Sequence, residues 1–548
     1  MARRLLTGML LLAIVTSVPA SAATAAESEP LQQVQHIVVI YQENHSFDNL
    51  YGGWEGVNGL AAADAAHTTQ IGQTGAPYTC LLQNDPNLTS PPLTANCRDT
   101  TTARPFSSHF RNAPFGIDGY IAPTANTCPH GGGSNPGGCT RDLVHHYYQE
   151  IYQHNNGAQN RYVTGSDAVG LVMGTYDTTQ LPVYQYLHAD GHPRYAVADN
   201  VFQAAFGGSF LNHQWLVAGA TPVWPGTPPA SAQSIIDANG MPADYPLYHT
   251  ATAKRDRPLT QACDQPTTVA GYACGRYAIN TIQPPYQPTS PGQPPPRQLP
   301  PQTATTIGDE LTGAGVSWAW YSGGWSNANG DVGGPGWTNG DTAGTCTDPA
   351  TMADAVYPNC PDRLFQFHHQ PFNYYASFAP GTAQRAGHLR DEAEFLHLAT
   401  GSVDACNLPA VSFVKPIGAE NEHPGYTGES RGSQHLVELL SAIEDGACGK
   451  DTMVVVTYDE FGGQWDHVPP PGQGGAAGPH DQWGPGTRIP TLILSPLLQA
   501  DFVVDHEQGD TTSILATIEH RFGLDPLGPR DASVNDLSGV FTAQAPGS

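Results

Sequence analysis

"HIVVIYQENHSFDN" occupies residues 36–49, and its two halves are chemically unlike. Ile37, Val38, Val39 and Ile40 form a continuous apolar run, the pattern of a strand buried on both faces and therefore of a parallel sheet. Glu43, Asn44, His45 and Asp48 follow at once. A buried strand that ends this way delivers ligand-type groups to one edge of a sheet, and in parallel sheets ligands collect beyond the carboxyl ends of the strands. The stretch "MVVVTYDEFGGQWDH" (453–467) repeats the design with Asp459, Glu460, Asp466 and His467. Carboxylates and an amide oxygen from neighbouring strand tips are the oxygen donors a hard divalent cation takes. Either cluster alone reads equally well as loop caps and turn formers; the two together point to a metal site.

Further strand candidates are "VSWAWY" (316–321), "AVSFVK" (410–415) and "IPTLILSP" (489–496). Helical patterns cover 385–400, 433–446 and 511–523, the last two with Ser433 and Thr511 placed as N-caps and Gly446 and Gly523 as stops. The alternation predicts an α/β fold, a largely parallel sheet sandwiched by helices. Residues 60–140 and 221–304 break the rhythm, and the prolines of "QPPYQPTSPGQPPPRQLPPQ" exclude helix and central strand. Taken as insertions rather than linkers, they leave both polar clusters in one domain spanning about 30–530.

The 548 residues hold 22 Lys+Arg against 49 Asp+Glu, a formal charge of −27. Such a body repels nucleic acid and anionic surfaces over long range, so a phosphate-bearing substrate has to be drawn by a local site. Arg3 and Arg4, the apolar "LLTGMLLLAIVTSV" and "PASAA" read as a secretory signal within residues 1–25, cleaved after Ala22 or Ala25. Its apolar core falls short of the roughly 20 residues needed to span a bilayer, so the expectation is a secreted chain without stable membrane insertion. In an exported chain, ten cysteines without a C-x-x-C read as loop-stapling disulfides. Nearest-neighbour pairing gives Cys80–Cys97, Cys128–Cys139, Cys263–Cys274, Cys346–Cys360 and Cys406–Cys448. Oligomeric state is not legible.

Three more clusters carry chemistry. "FGGSFLNHQWLV" (206–217) sets Ser209 after two glycines at the start of a helix, where free N–H groups favour an anion; the bland reading is an N-cap. "QFHHQPF" (366–372) supplies His368 and His369, and "VKPIGAENEHPGY" (414–426) puts Glu420, Asn421, Glu422 and His423 beyond an apolar strand. Imidazoles beside a metal and an anion site hold phosphoryl oxygens or give a proton to a leaving group.

"ENHSFDNLYG", "GGSFLNHQ", "FHHQPF", "KPIGAENEHPGY" and "TYDEFGGQWDHVPPP", in this order, resemble the secreted phosphoesterases that include bacterial acid phosphatase A and the non-specific phospholipases C of bacteria and plants. The resemblance spans about residues 35–525. It implies a fold similar to alkaline phosphatase and arylsulfatases, one divalent metal ion, and a covalent phosphoenzyme. Carried over residue by residue, it makes Glu43, Asn44, Asp459 and Glu460 the metal site and Ser209 the nucleophile. His368, His369 and His423 then surround the phosphoryl group, with His423 protonating the leaving group. His109 in "FSSHF" joins them, and Asp118 and Asp466 support the metal ligands. His45 departs from the family's usual arginine at that position, and its role is open. "SFLNHQ" is closer to the acid phosphatase branch, which favours phosphomonoesters. The alternatives are a phospholipase C acting on phospholipid headgroups and a non-catalytic exported binding protein. An esterase is disfavoured because "GGSFL" lacks the G-x-S-x-G elbow.

Overall fold

The computed structural model describes residues 30–546 apart from 91, 126, 129–138, 227, 230–231, 251–253, 256–275, 292–296, 343 and 353. The signal-like segment and the pair Cys263 and Cys274 lie outside the described residues.

An 8-stranded sheet forms the centre. In chain order its strands are β1 (His36–Gln42), β2 (Tyr195–Ala198), β3 (Trp318–Ser322), β4 (Leu389–Asp391), β5 (Val411–Lys415), β6 (Thr452–Tyr458), β7 (Thr491–Leu494) and β8 (Phe502–Asp505). Across the sheet they run β4-β3-β5-β1-β6-β7-β2-β8. All neighbours are parallel except β7, which is antiparallel to both β6 and β2. Every residue of β5, β6 and β7 is buried, as the unbroken apolar runs require. The helices that matter for the site are α1 (Tyr147–His154), α2 (Ser209–Ala218), α3 (Glu392–Thr400), α4 (Glu429–Glu444) and α5 (Thr512–Phe522). One apolar cluster runs from Leu31 to Phe541. Among the described residues no helix is long and apolar enough to cross a membrane.

The helix expected over 385–400 is two helices with strand β4 between them. Leu389 pairs with Trp320 at the sheet edge, and the Asp391 side chain accepts from Ala393 N to start α3 afresh. Tertiary pairing and a local cap thus override a continuous helical period. α4 begins at Glu429, four residues before the expected cap; Ser433 lies inside it, with its hydroxyl accepting from Val183 N. Thr511 stands at the N-cap position of α5 without capping it, and its hydroxyl accepts from Ala204 N instead. Gly523 does stop α5 in the left-handed conformation, whereas α4 ends two residues before Gly446.

Among the described residues, four disulfides join Cys80–Cys97, Cys128–Cys139, Cys346–Cys360 and Cys406–Cys448. The proline-rich connection lies against the body: Asn373 donates to the carbonyls of Tyr286 and Pro288, and Tyr374 to that of Ile282.

Candidate active site

β5, β1 and β6 are neighbours in the middle of the sheet, and Gln42 pairs with Tyr458, so Glu43 and Asp459 leave the sheet side by side. Asn44 turns the chain there with φ 62, a left-handed conformation that asparagine tolerates. The loop after β6 crosses it so closely that a Cβ on Gly462 would come 2.2 Å from the Asn44 carbonyl oxygen. Only glycine fits this crossing.

Ser209 is the first residue of α2, and Gly208, not Ser209, holds the N-cap position. Its hydroxyl therefore does not serve as a cap. Ser209 Oγ lies 3.4 Å from Glu43 Oε2 and 3.5 Å from Glu460 Oε1. It opens on a cavity of about 120 Å³ lined also by Asp142, His145, His368, His369 and His423.

Glu43 is held on the other side by Lys415 Nζ and by His369 Nδ1, the latter at 3.1 Å. His423 Nδ1 lies 2.7 Å from the Pro424 carbonyl, which assigns the proton to Nδ1; Nε2 then accepts from Asn44 Nδ2 at 3.0 Å. His213 Nδ1 likewise donates to the Ser209 carbonyl at 2.8 Å, and its ring stacks on His369 at 4.8 Å. Glu460 Oε2 accepts from Gly462 N at 2.7 Å, which leaves Oε1 facing Ser209 and, at 3.5 Å, His145 Nε2.

Glu43, Asp459 and Glu460 are fully buried, and Lys415 forms an ion pair with Glu43. Burial pushes all three carboxyls above the usual range; Lys415 works against it at Glu43 and Asp459, while mutual repulsion among the acids adds to it. Burial holds the imidazoles of His213, His369 and His423 well below their ordinary value, so they are neutral. Both oxygens of Asp459, Asn44 Oδ1, His213 Nε2 and His369 Nε2 are buried without a hydrogen-bond partner. Each such orphan costs about 1–3 kcal/mol unless something satisfies it. Acceptors left open around an excess of negative charge fit a divalent cation. Glu43, His213 and His369 bring one ligand atom each within 4.8 Å of one another, as do Asp142, His145 and His423.

The family model for the phosphoesterase family matches residues 34–525, which takes in every strand of the sheet and every group just described. The chain belongs to the phosphoesterase family. It is 34% identical over 163 residues to phospholipase C B of Mycobacterium tuberculosis, covering 25% of this chain and 30% of that protein. Phospholipase C A of the same organism is 30% identical over 167 residues (26% and 31%). Non-specific phospholipase C6 of Arabidopsis thaliana is 31% identical over 151 residues (23% and 29%). The chain thus spans less than a third of the length of these curated relatives.

Of the residues expected from the sequence, the structure gathers Glu43, Asn44, Ser209, His368, His369, His423, Asp459 and Glu460 around one cavity. His109 is elsewhere: its Nδ1 meets the Thr94 carbonyl at 2.8 Å and its ring packs on Phe110 and Tyr120. It does not line the cavity. Asp118 accepts from Asp177 N and supports a surface turn. Asp466 accepts from Asp48 N and pairs with Arg488, which ties the loop after β1 to the loop after β6. His45 is sealed behind the site with Nε2 2.9 Å from Glu429, and although burial opposes it, Glu429 holds the ring up to about 9. It is a buried ion pair beneath the loop rather than a cavity residue.

Asp142, His145, His213 and Lys415 were not singled out from the sequence. His213 and Lys415 lie inside the quoted motifs, His213 four residues after Ser209 and Lys415 as the last residue of β5. The signal for the others was "RDLVHHYYQE" (141–150), a histidine pair opening a helix directly after a Gly-rich stretch.

Proposed function

We propose that the chain is a secreted, metal-assisted phosphoester hydrolase that acts on phosphomonoesters through a phosphoserine at Ser209. The observation that carries this is Ser209 Oγ, uncommitted to capping, poised between two buried carboxylates at the head of a helix and facing a histidine-lined cavity. One divalent cation on Glu43, Asn44 and Asp459 would lower the pKa of the serine hydroxyl and neutralise phosphoryl oxygens. Glu43 is already engaged by Lys415 and His369, so Glu460 Oε1 takes the Ser209 proton as Oγ bonds to phosphorus and the bond to the leaving alcohol breaks. Both nitrogens of His423 are committed, one to Pro424 and one to Asn44, so its part is to orient Asn44. Protonation of the leaving alkoxide falls to His368. Burial, Lys415 and His145 hold that ring down to about 3; a phosphoryl dianion supplies the opposite charge that lets it carry a proton. Water then attacks the phosphoserine, His368 takes the water's proton, and Glu460 returns the first proton to Ser209.

The small cavity of about 120 Å³, lined mostly by histidine and other polar side chains, supports a phosphomonoester. The phospholipase C names of the relatives favour a second reading, cleavage of phosphodiester headgroups. Export is supported by the disulfides, which belong to oxidising compartments, and nucleic acid as a partner is disfavoured by the charge of −27. Turnover of p-nitrophenyl phosphate against p-nitrophenylphosphorylcholine, each with and without chelator, tests these readings. The first is expected to be the faster substrate, and chelator to abolish its turnover. Faster turnover of the phosphocholine ester would move the assignment to phospholipase C; turnover of neither would remove it.

A further inference from the structure

Glu150 is completely buried in α1, outside the cavity, and has no part in the chemistry proposed above. Four donors converge on it. Oε2 accepts from Gly207 N at 2.5 Å and Gln203 Nε2 at 3.0 Å; Oε1 accepts from Thr487 N at 2.7 Å and Thr487 Oγ1 at 2.8 Å. The nearby His154, 3.6 Å away, is held down to about 3 by burial and is neutral. Burial pushes this carboxyl up to about 8 while the neutral donors from Gly207, Thr487 and Gln203 pull against it, an unusually demanding arrangement to keep buried. Two of these donors lead to the site. Gly207 lies two residues before Ser209 and has φ +96, with a Cβ position 2.6 Å from Tyr147 N, so the backbone there is pinned against the start of α1. Gln203 turns its Oε1 to Phe461 N at 2.9 Å, the residue after Glu460, and its Nε2 also donates to the carbonyls of Ala205 and Gly207. The N-terminal end of α1 in turn carries His145 and His146 into the cavity wall.

We infer that Glu150 is a positioning residue: through Gly207 and Gln203 it sets the separation of Ser209 from Glu460, so that one buried carboxyl group aligns the nucleophile loop, the acidic loop and the helix that follows His145. This rests on the reading of Ser209 as nucleophile. A purely structural anchor would give stability without alignment, and the Thr487 side chain provides that contrast: its hydroxyl meets Glu150, His154 and Tyr162, whereas its contact with Gln203 is made by the backbone carbonyl, which a side-chain substitution keeps. In the full-length chain, Glu150→Gln keeps the volume but turns an amide N–H towards donors. With p-nitrophenyl phosphate its kcat is expected to fall about 100-fold, the loss that follows from misplacing reacting groups by about 1 Å, with KM and bound metal within about threefold of wild type. Thr487→Val is expected to lower Tm while leaving kcat within about threefold. Glu150→Gln combined with Gln203→Met should be no slower than the worse single variant, because the two act as one unit. A folded Glu150→Gln protein with kcat within threefold of wild type, or a Thr487→Val protein as slow as Glu150→Gln, overturns the inference. If Glu150→Gln does not fold, Gln203→Met alone decides it: loss of about tenfold or more in kcat supports it and an unchanged kcat refutes it. Wild-type protein that turns over without a phosphoserine would instead overturn the nucleophile assignment, which separates the two failures.

Discussion

Two buried acidic clusters sit a few residues apart in the same pair of loops, and they have opposite electrostatic fates. Asp48 and Asp466 are matched: Arg488 reaches Asp48 at 3.1 Å and Asp466 at 3.2 Å, His467 Nδ1 meets Asp48 at 2.5 Å, and the guanidinium lies over the Phe47 ring. Among Glu43, Asp459 and Glu460, Lys415 pairs with Glu43, and both Asp459 oxygens are left without a hydrogen-bond partner. Burial pushes Asp466 up to about 6 even with Arg488 pulling against it, whereas Asp459, without a paired cation, is pushed well above the usual range. A buried carboxylate with its counter-charge built in holds a structure together, and one without it waits for a cation. The matched cluster clamps the loops, and the unmatched one is the working site.

The largest effect that sharpens this contrast is expected at Ser209. Ser209→Ala should lower kcat by about 1,000-fold or more with the fold and bound metal kept, as read by turnover, circular dichroism and metal analysis; a small stability change with near-normal turnover would make Ser209 an ordinary helix residue. Next is Asp459→Asn, which removes a charge from the unmatched cluster: metal affinity by calorimetry should fall by about 100-fold or more, while the thermal midpoint of the metal-free protein holds or rises, since an uncompensated buried charge is gone. Asp466→Asn should do the reverse. It leaves part of the buried Arg488 charge unpaired and should cost about 3 kcal/mol in urea unfolding, with metal affinity preserved. If Asp459→Asn destabilised the metal-free protein and Asp466→Asn did not, the division into matched and unmatched clusters would be wrong.

His45 and Glu429 form a third pair, matched by a titratable cation. The ring's folded value of about 9 lies above its unfolded value near 6.5, so its contribution is full below pH 6.5 and is lost as pH rises through 9. The difference in unfolding free energy between wild type and His45→Gln should shrink by about 2–3 kcal/mol between pH 6 and pH 9.5. The smallest effect sets the baseline: Thr306, far from both clusters in sequence, makes a capping box with Asp309, and Thr306→Ala should cost about 1 kcal/mol without changing turnover.

Much of this was legible before the structure because strong local signals and site geometry coincide. The runs 36–41 and 453–460 announce central strands, and the carboxylates at their ends are the ones that meet. β2 and β8 were not read, since "YAVA" and "FVVD" are four residues long and their burial comes from tertiary pairing with each other and β7. β4 was hidden inside a helical period. His109 was misplaced because a histidine in a hairpin of a Thr- and Ser-rich segment carries no directional signal. Glu150, Gln203 and Lys415 escaped notice for a related reason: a polar side chain outside the conspicuous clusters reveals its role only when its partners, for Glu150 from 53 to 337 residues away, are in view.

The covalent role of Ser209 is the claim on which the rest depends, and rapid acid quench of the wild-type protein turning over p-nitrophenyl phosphate tests it most directly. Phosphate is expected on the peptide containing "GGSFLNHQ", esterified to Ser209, appearing before free phosphate and decaying at a rate consistent with turnover. Label on another residue, or a direct transfer to water that leaves no phosphopeptide and inverts the configuration at phosphorus, would contradict it.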